Sequence, residues 1–183
     1  MRLIAPAKAP PLSLTDITGQ RVVVGSGPRS TLLCFFRDPA CPFCNFRIYE
    51  LTERHDELAR RGLAVVAVFA AAAEDVKRFV AHRPRPFPVV ADPASVAYAA
   101  YGVERRSLWG KLKAIVTRVP TLLKGLRIVG LAGLGTGNLM PADFLIDEKG
   151  DIAATWYGSD AGDRIPFERI EAFLARGQVS GRG

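Results

Sequence analysis

Cys41 and Cys44 stand two residues apart in "FFRDPACPFCNFRIYEL", residues 35 to 51, where an apolar run gives way to a helical pattern. Two thiols at this spacing can close a disulfide within one helical turn, so the pair is a candidate two-electron redox centre. Backbone N–H groups left unpaired at a helix start, together with the positive end of the helix dipole, stabilise a thiolate there. Arg37, four residues before Cys41, adds a cation to the same pocket. This placement predicts Cys41 as the exposed, more acidic nucleophile. It makes Cys44, one turn further on, the thiol that attacks a mixed disulfide or sulfenic acid on Cys41.

Two other chemistries use the same residue types. A CxxC is half of a zinc site, but the remaining candidate ligands are Cys34, His55 and His82, none at knuckle spacing, so no metal is expected. Inert buried cysteines are the other alternative, for which a helix start beside an arginine is a poor setting. Cys34 lies inside the apolar run and is expected in the core. His55 and His82 fall on helical patterns without partners and are expected at the surface.

The elements that must position the pair can be read from hydrophobic pattern. "LSL" and "RVVV" flank the polar turn "TDITGQ" and predict an N-terminal hairpin. "TLLCFF" (31 to 36) is a short continuous apolar run of the kind found in strands buried on both faces. A helix is expected from the cysteines to about Arg61, closed by Gly62. "LAVVAVF" predicts a second buried strand, Glu74 to His82 a helix, "PVVAD" a short strand and "PASVAYAAYG" a helix stopping at Gly102. "ADFLID", the turn "EKGD" and "IAATWYG" predict a second hairpin, and "IPFERIEAFLAR" a closing helix. This order predicts an α/β protein of thioredoxin-like fold, with a central mixed sheet and helices on both faces. It fills one domain, residues 1–176, and leaves 177–183 as a disordered tail.

With 183 residues, 49% of them hydrophobic, the chain can build one full core without disulfide staples. Three cysteines are an odd number and argue against a disulfide framework. "MRLIAPAKAPPLSL" is interrupted by Pro6, Pro10 and Pro11 and lacks the apolar core of a signal peptide, which predicts a cytoplasmic, reducing environment. The net charge of +7 is uneven: residues 104 to 127 carry +6, residues 1 to 103 +4 and residues 128 to 183 −3.

The basic stretch lies within an insert, residues 104–139. Leu108, Trp109, Leu112, Ile115, Val116 and Val119 form an apolar stripe at helical spacing, flanked by Lys111, Lys113 and Arg118 and ended by Pro120. This basic amphipathic helix, 106–119, suits an anionic membrane surface or an acidic partner. The alternative is that its stripe packs on the domain or makes a dimer contact. "GLAGLGTGN" (130 to 138) lacks the G-K-[ST] of a phosphate loop and is expected to be a flexible glycine loop. Nucleic acid is not expected as a partner, because the basic stretch holds one tryptophan and no recognised module.

At the cysteine pair the sequence resembles the peroxiredoxin-like proteins of the AhpC/TSA group, in which F-x-R-x-x-x-C-P-x-C-N is a familiar form. Arg37, Pro39, Cys41, Pro42, Cys44 and Asn45 carry the likeness. "MPADFLIDEKGDIAATWYGSDAGDRIPFERIEAFL" is similar to that group's final hairpin and helix, including the step at Gly162 and Asp163. The resemblance implies a thiol–disulfide oxidoreductase, or alternatively a thiol-dependent peroxidase, that needs no cofactor beyond a Cys41–Cys44 disulfide. It implies Pro141 as a proline, often cis, facing the active site, with Pro39, Pro42 and Phe43 beside it as substrate contacts. Thioredoxin or a small thiol would be the reductant, and a disulfide or peroxide the substrate. Peroxidases of the group have P-x-x-x-T-x-x-C. When Cys44 is laid on that cysteine, Cys41 stands where the threonine would be and Arg37 where the proline would be. The resemblance therefore leaves open which cysteine attacks first. A redox-sensing module that binds through the basic helix is the alternative from outside enzymes.

Overall fold

The computed structural model describes residues 2–103, 119–129 and 139–180. Its centre is a six-stranded sheet in the order β1-β8-β7-β4-β5-β6. The strands are β1 (Ala7–Lys8), β4 (Ser30–Phe36), β5 (Leu63–Phe69), β6 (Val89–Ala91), β7 (Ala142–Ile146) and β8 (Asp151–Tyr157). β4 lies inside the sheet, parallel to β5 and antiparallel to β7, so the sheet is mixed as expected. The N-terminal hairpin of β2 (Leu12–Thr15) and β3 (Arg21–Val24) stands apart as its own two-stranded sheet.

Period-two alternation along β4 sends Leu32, Cys34 and Phe36 to one face and Leu33 and Phe35 to the other, all fully buried. That is why "TLLCFF" reads as an unbroken apolar run. The first face is covered by α1 (Pro42–Glu53), α2 (His55–Arg60), α3 (Ala73–Phe79) and α6 (Phe167–Ser180), through Ile48, Leu51, Leu58, Val76, Ile170 and Leu174. The N-terminal hairpin and α4 (Val96–Ala100) cover the second face, through Val22, Val24, Ala97 and Tyr98.

Several boundaries differ from the sequence expectation. The helix after the cysteines is two helices, broken at Arg54 (φ −97°, ψ 0°), before Gly62 closes the second with φ +83°. His82 lies beyond α3 and is exposed, whereas His55 opens α2 half-buried with its ring 6.0 Å from that of Phe87. α6 runs to Ser180, and 181–183 lie outside the described residues. Among the described residues Pro120 lies within α5 (Val119–Val129), so helix is present beyond it. The rest of the expected basic helix, residues 106 to 118, and the glycine loop 130–138 lie outside the described residues. No helix among the described residues is long and apolar enough to cross a membrane.

Candidate active site

β4 ends at Phe36, and the next five residues turn the chain into α1. The Asp38 carboxylate accepts the Ala40 N–H at 2.8 Å, and the Asp38 carbonyl accepts the Cys41 N–H at 3.0 Å. Asp is suited to such a turn because its short side chain reaches its own backbone two residues on. Cys41 is the N-cap of α1, in extended conformation, and Pro42 follows at the first helical position. Asn45 closes the turn from inside, donating from Nδ2 to the carbonyls of Pro39 and Cys41, while its own N–H makes the first helical bond to Cys41 at 3.0 Å.

The pair and Arg37 do come together, but not on the surface. Cys41 is 1% exposed and Cys44 3%, both as free thiols, and Arg37 is buried with them. Nη1 of Arg37 donates to Sγ of Cys41 at 3.4 Å, and its Nε donates to the Leu139 carbonyl at 2.6 Å. Leu139, the last residue of the insert, thus reaches the site through its main chain.

The expected order of acidity is reversed. Cys41 is pushed well above an ordinary thiol because its S–H is committed to Cys44, and burial adds to this; the nearby Arg37 only partly opposes them. Cys44 is brought down to about 6. Burial works against that shift, and it is outweighed by the hydrogen bond from Cys41, the Arg37 charge and the backbone N–H groups of Asp38 and Arg37. The helix start was expected to favour Cys41. The turn 37 to 41 instead folds its N–H groups over the sulfur one turn inside, and burial removes the exposure on which the expectation rested. The two thiols therefore titrate as a coupled pair, with the negative charge favoured on Cys44.

Pro141 corrects a second expectation. Among the described residues the cis peptide bond is Ala5–Pro6, so Met140–Pro141 is trans. Pro141 leads into β7, and its carbonyl accepts the Gly158 N–H at 2.8 Å, which makes it a strand-entry proline. Its contact with Gly158 is close: a Cβ at residue 158 would lie 2.8 Å from Pro141 Cγ. Pro39, Pro42 and Phe43, expected as substrate contacts, are buried.

Sequence reasoning missed the charged layer under the pair. Asp143 in β7 is 0% exposed and lies directly across from Cys34 on the face that α1 covers. Its Oδ1 receives Nη2 of Arg164 at 2.6 Å and its Oδ2 the Ile165 N–H at 2.9 Å. Arg47, buried on α1, donates to the Ile165 carbonyl at 2.8 Å and stacks on Phe167, 4.1 Å from the ring centre. Cys34 is a core residue as expected, its thiol pushed up by burial and by the Asp143 charge. The available signal was the single acid inside the apolar "PADFLI", for a buried carboxylate requires a partner. The Gly162–Asp163 step is a structural tie. Asp163 accepts the Trp156 Nε1–H at 3.0 Å and both the N–H and hydroxyl of Ser159.

The AhpC/TSA family model matches residues 6–155. Among solved structures, the chain is similar to peroxidoxin BcpB from Mycobacterium tuberculosis, with TM-score 0.67 and 16% identity over 96% of this chain and 98% of that one. It is also similar to a Chlorobium tepidum protein assigned as a thiol:disulfide interchange protein DsbE (TM-score 0.63, 23% identity, 95% and 99% covered). A third is peroxiredoxin Q from Xanthomonas campestris (TM-score 0.62, 16% identity, 92% and 90% covered). Among curated proteins none matches the chain in sequence. At these identities the structural likeness is one of fold, and the fold is thioredoxin-like.

Proposed function

The chain belongs to the AhpC/TSA family, and on that premise we propose that it is a thiol oxidoreductase in which Cys44 attacks a small oxidant and Cys41 resolves the product. What supports this reading is a buried pair beside the Arg37 guanidinium in which the Cys41 thiol, the Arg37 charge and the turn's backbone N–H groups outweigh burial and bring the Cys44 thiol down, favouring it as the nucleophile near neutral pH. Cys41 occupies the position from which a peroxidase threonine would donate to that cysteine, and its S–H makes an equivalent bond.

With a hydroperoxide, the Cys44 thiolate attacks one oxygen and the O–O bond breaks. The other oxygen leaves as alcohol or water with a proton from solvent, and Cys44 becomes a sulfenic acid. The Cys41 thiol then attacks the Cys44 sulfur, water leaves, and the Cys41–Cys44 disulfide forms. Two electrons from thioredoxin or a small thiol restore the dithiol. With both sulfurs almost closed to solvent, a peroxide-sized oxidant fits this form of the site better than a protein disulfide does. The second reading is thiol–disulfide exchange, favoured by a spacing that lets the pair close its own disulfide after one attack.

Turnover of hydrogen peroxide and of a model disulfide by the same reduced protein separates the two. Peroxide turnover that survives as a single sulfenic acid event in Cys41→Ser and vanishes in Cys44→Ser is the expected result. Turnover of the disulfide alone would replace this reading with the second.

A further inference from the structure

Arg164 takes no part in that chemistry, yet its side chain, only 8% exposed, lies where β4 ends. Its Nη1 donates to the Phe35 carbonyl at 2.8 Å, its Nη2 to Asp143 at 2.6 Å, and its guanidinium lies 4.2 Å from the ring centre of Phe36. Phe35 and Phe36 are the two residues before Arg37. Across the strand, the Tyr98 hydroxyl donates to the Phe36 carbonyl, so consecutive carbonyls of one strand end are held from two elements. The planar guanidinium fork allows Arg164 to meet a carbonyl and a carboxylate at fixed spacing, which a lysine cannot reproduce.

We propose that Arg164 is a positioning residue for the cysteine pair. Pinned by Asp143, it fixes the end of β4, and with it the Arg37 to Cys41 turn whose N–H groups and cation hold the Cys44 thiolate. The proposal rests on the reading that Cys44 is the nucleophile. The titratable groups around Cys44 are Cys41 and Arg37 from its own loop, Tyr98 from α4, and Arg164 from the β8–α6 connection, behind which lie Asp143 and Cys34.

The test is the pH profile of thiol alkylation in the Cys41→Ser background, which leaves Cys44 as the only thiol of the pair. A fast-reacting thiol must first be present in that background; its absence would sink the Cys44 assignment, and the same series is then read on Cys41 in Cys44→Ser. Asp143→Asn combined with Arg164→Met removes the buried charge pair together, keeps an acceptor for the Ile165 N–H, and avoids an orphaned charge. Its profile is expected to move up by about one pH unit, a roughly tenfold loss of thiolate at neutral pH. Arg164→Lys keeps the charge but not the fork, and is expected to shift in the same direction by a smaller amount. A folded double variant with the parent profile would overturn the proposal. A parent profile in Arg164→Lys would reduce Arg164 to a charge and overturn the positioning role.

Discussion

The two faces of the central sheet both bury apolar side chains and differ in what they add to them. The face under the N-terminal hairpin and α4 is an aromatic stack: Phe35 meets Tyr98 edge-on at 4.8 Å and Phe144 at 5.7 Å, and Tyr101 meets Phe144 at 4.9 Å. The face under α1 holds Cys34, the Cys41–Cys44 pair and the charged Asp143, Arg47 and Arg164 among aliphatic side chains and the stacked rings of Phe36 and Phe69. Aromatic and aliphatic burial is non-directional and tolerant, and each edge-on pair adds only modestly to it. A buried ion pair must have its geometry right or it costs stability. Both faces thus contribute apolar burial, and the α1 face adds charged geometry that only a site requires.

Phe144→Ala is expected to give the largest effect. It removes a fully buried ring from the centre of the aromatic stack and should cost about 3–5 kcal/mol in urea unfolding. Where the variant remains folded, the alkylation profile of the cysteine pair should match the parent, because the lost contacts lie on the far face. A displaced profile at full helicity would mean that the two faces are coupled through β4.

The same separation predicts how pH acts on stability. Cys44 has a folded pKa of about 6, below that of an ordinary thiol, so it stabilises the fold above its unfolded pKa, and that contribution is lost as pH falls through about 6. Cys41 is shifted the other way. Its contribution is complete below its unfolded pKa and erodes at higher pH, when only the unfolded chain deprotonates there. The reduced protein should therefore gain stability relative to Cys44→Ser from pH 5 to about pH 8, with no further gain beyond the ordinary thiol range of about 8.5. Chemical unfolding of both proteins at several pH values reads this directly, and parallel curves would place the charge elsewhere.

Tyr98 joins the faces, with its ring in the aromatic stack and its one hydroxyl proton shared between the carbonyls of Phe36 and, at 2.8 Å, Val68. Tyr98→Phe removes the one donor these two carbonyls share inside the protein and should cost about 1–3 kcal/mol. With Arg164 still holding Phe35, the alkylation profile should move less than in the Arg164 variants. An equal or larger shift would assign the strand end to Tyr98.

What could be read from sequence follows the same division. Strands and hairpins were legible because their causes are local: an apolar run for β4, and Gly150 at φ +79° turning β7 into β8. The cysteine pair, Arg37 and the buried Cys34 were legible as residue types at a spacing. The ranking of the two thiols was not, since it depends on which sulfur the turn 37 to 41 covers, a matter of tertiary folding. Arg164 is 21 residues from the carboxylate it meets and 129 from the Phe35 carbonyl, and no local pattern joins them. Pro141 misled because a trans strand-entry proline and a cis active-site proline look identical in a string of letters.

The smallest expected effect lies in the insert, on the chemical face. Among the described residues the insert meets the site through the Leu139 carbonyl that receives Arg37, while α5 rests on α1 with the exposed Lys124 ammonium 5.5 Å from the ring centre of Phe46. An exposed cation over a ring contributes about 0.5–1 kcal/mol. Lys124→Gln should therefore lower stability by no more than that and leave the alkylation profile and peroxide turnover unchanged, since the substitution leaves the Leu139 main chain in place. Arg37→Lys provides the contrast, because a lysine cannot bridge Leu139 and Cys41 with one planar group, and it should slow Cys44 at unchanged α5 packing. If Lys124→Gln slowed the thiol as Arg37→Lys does, α5 would have to be counted with the catalytic loop, and the insert would be a working part of the site that merely arrives late in the chain.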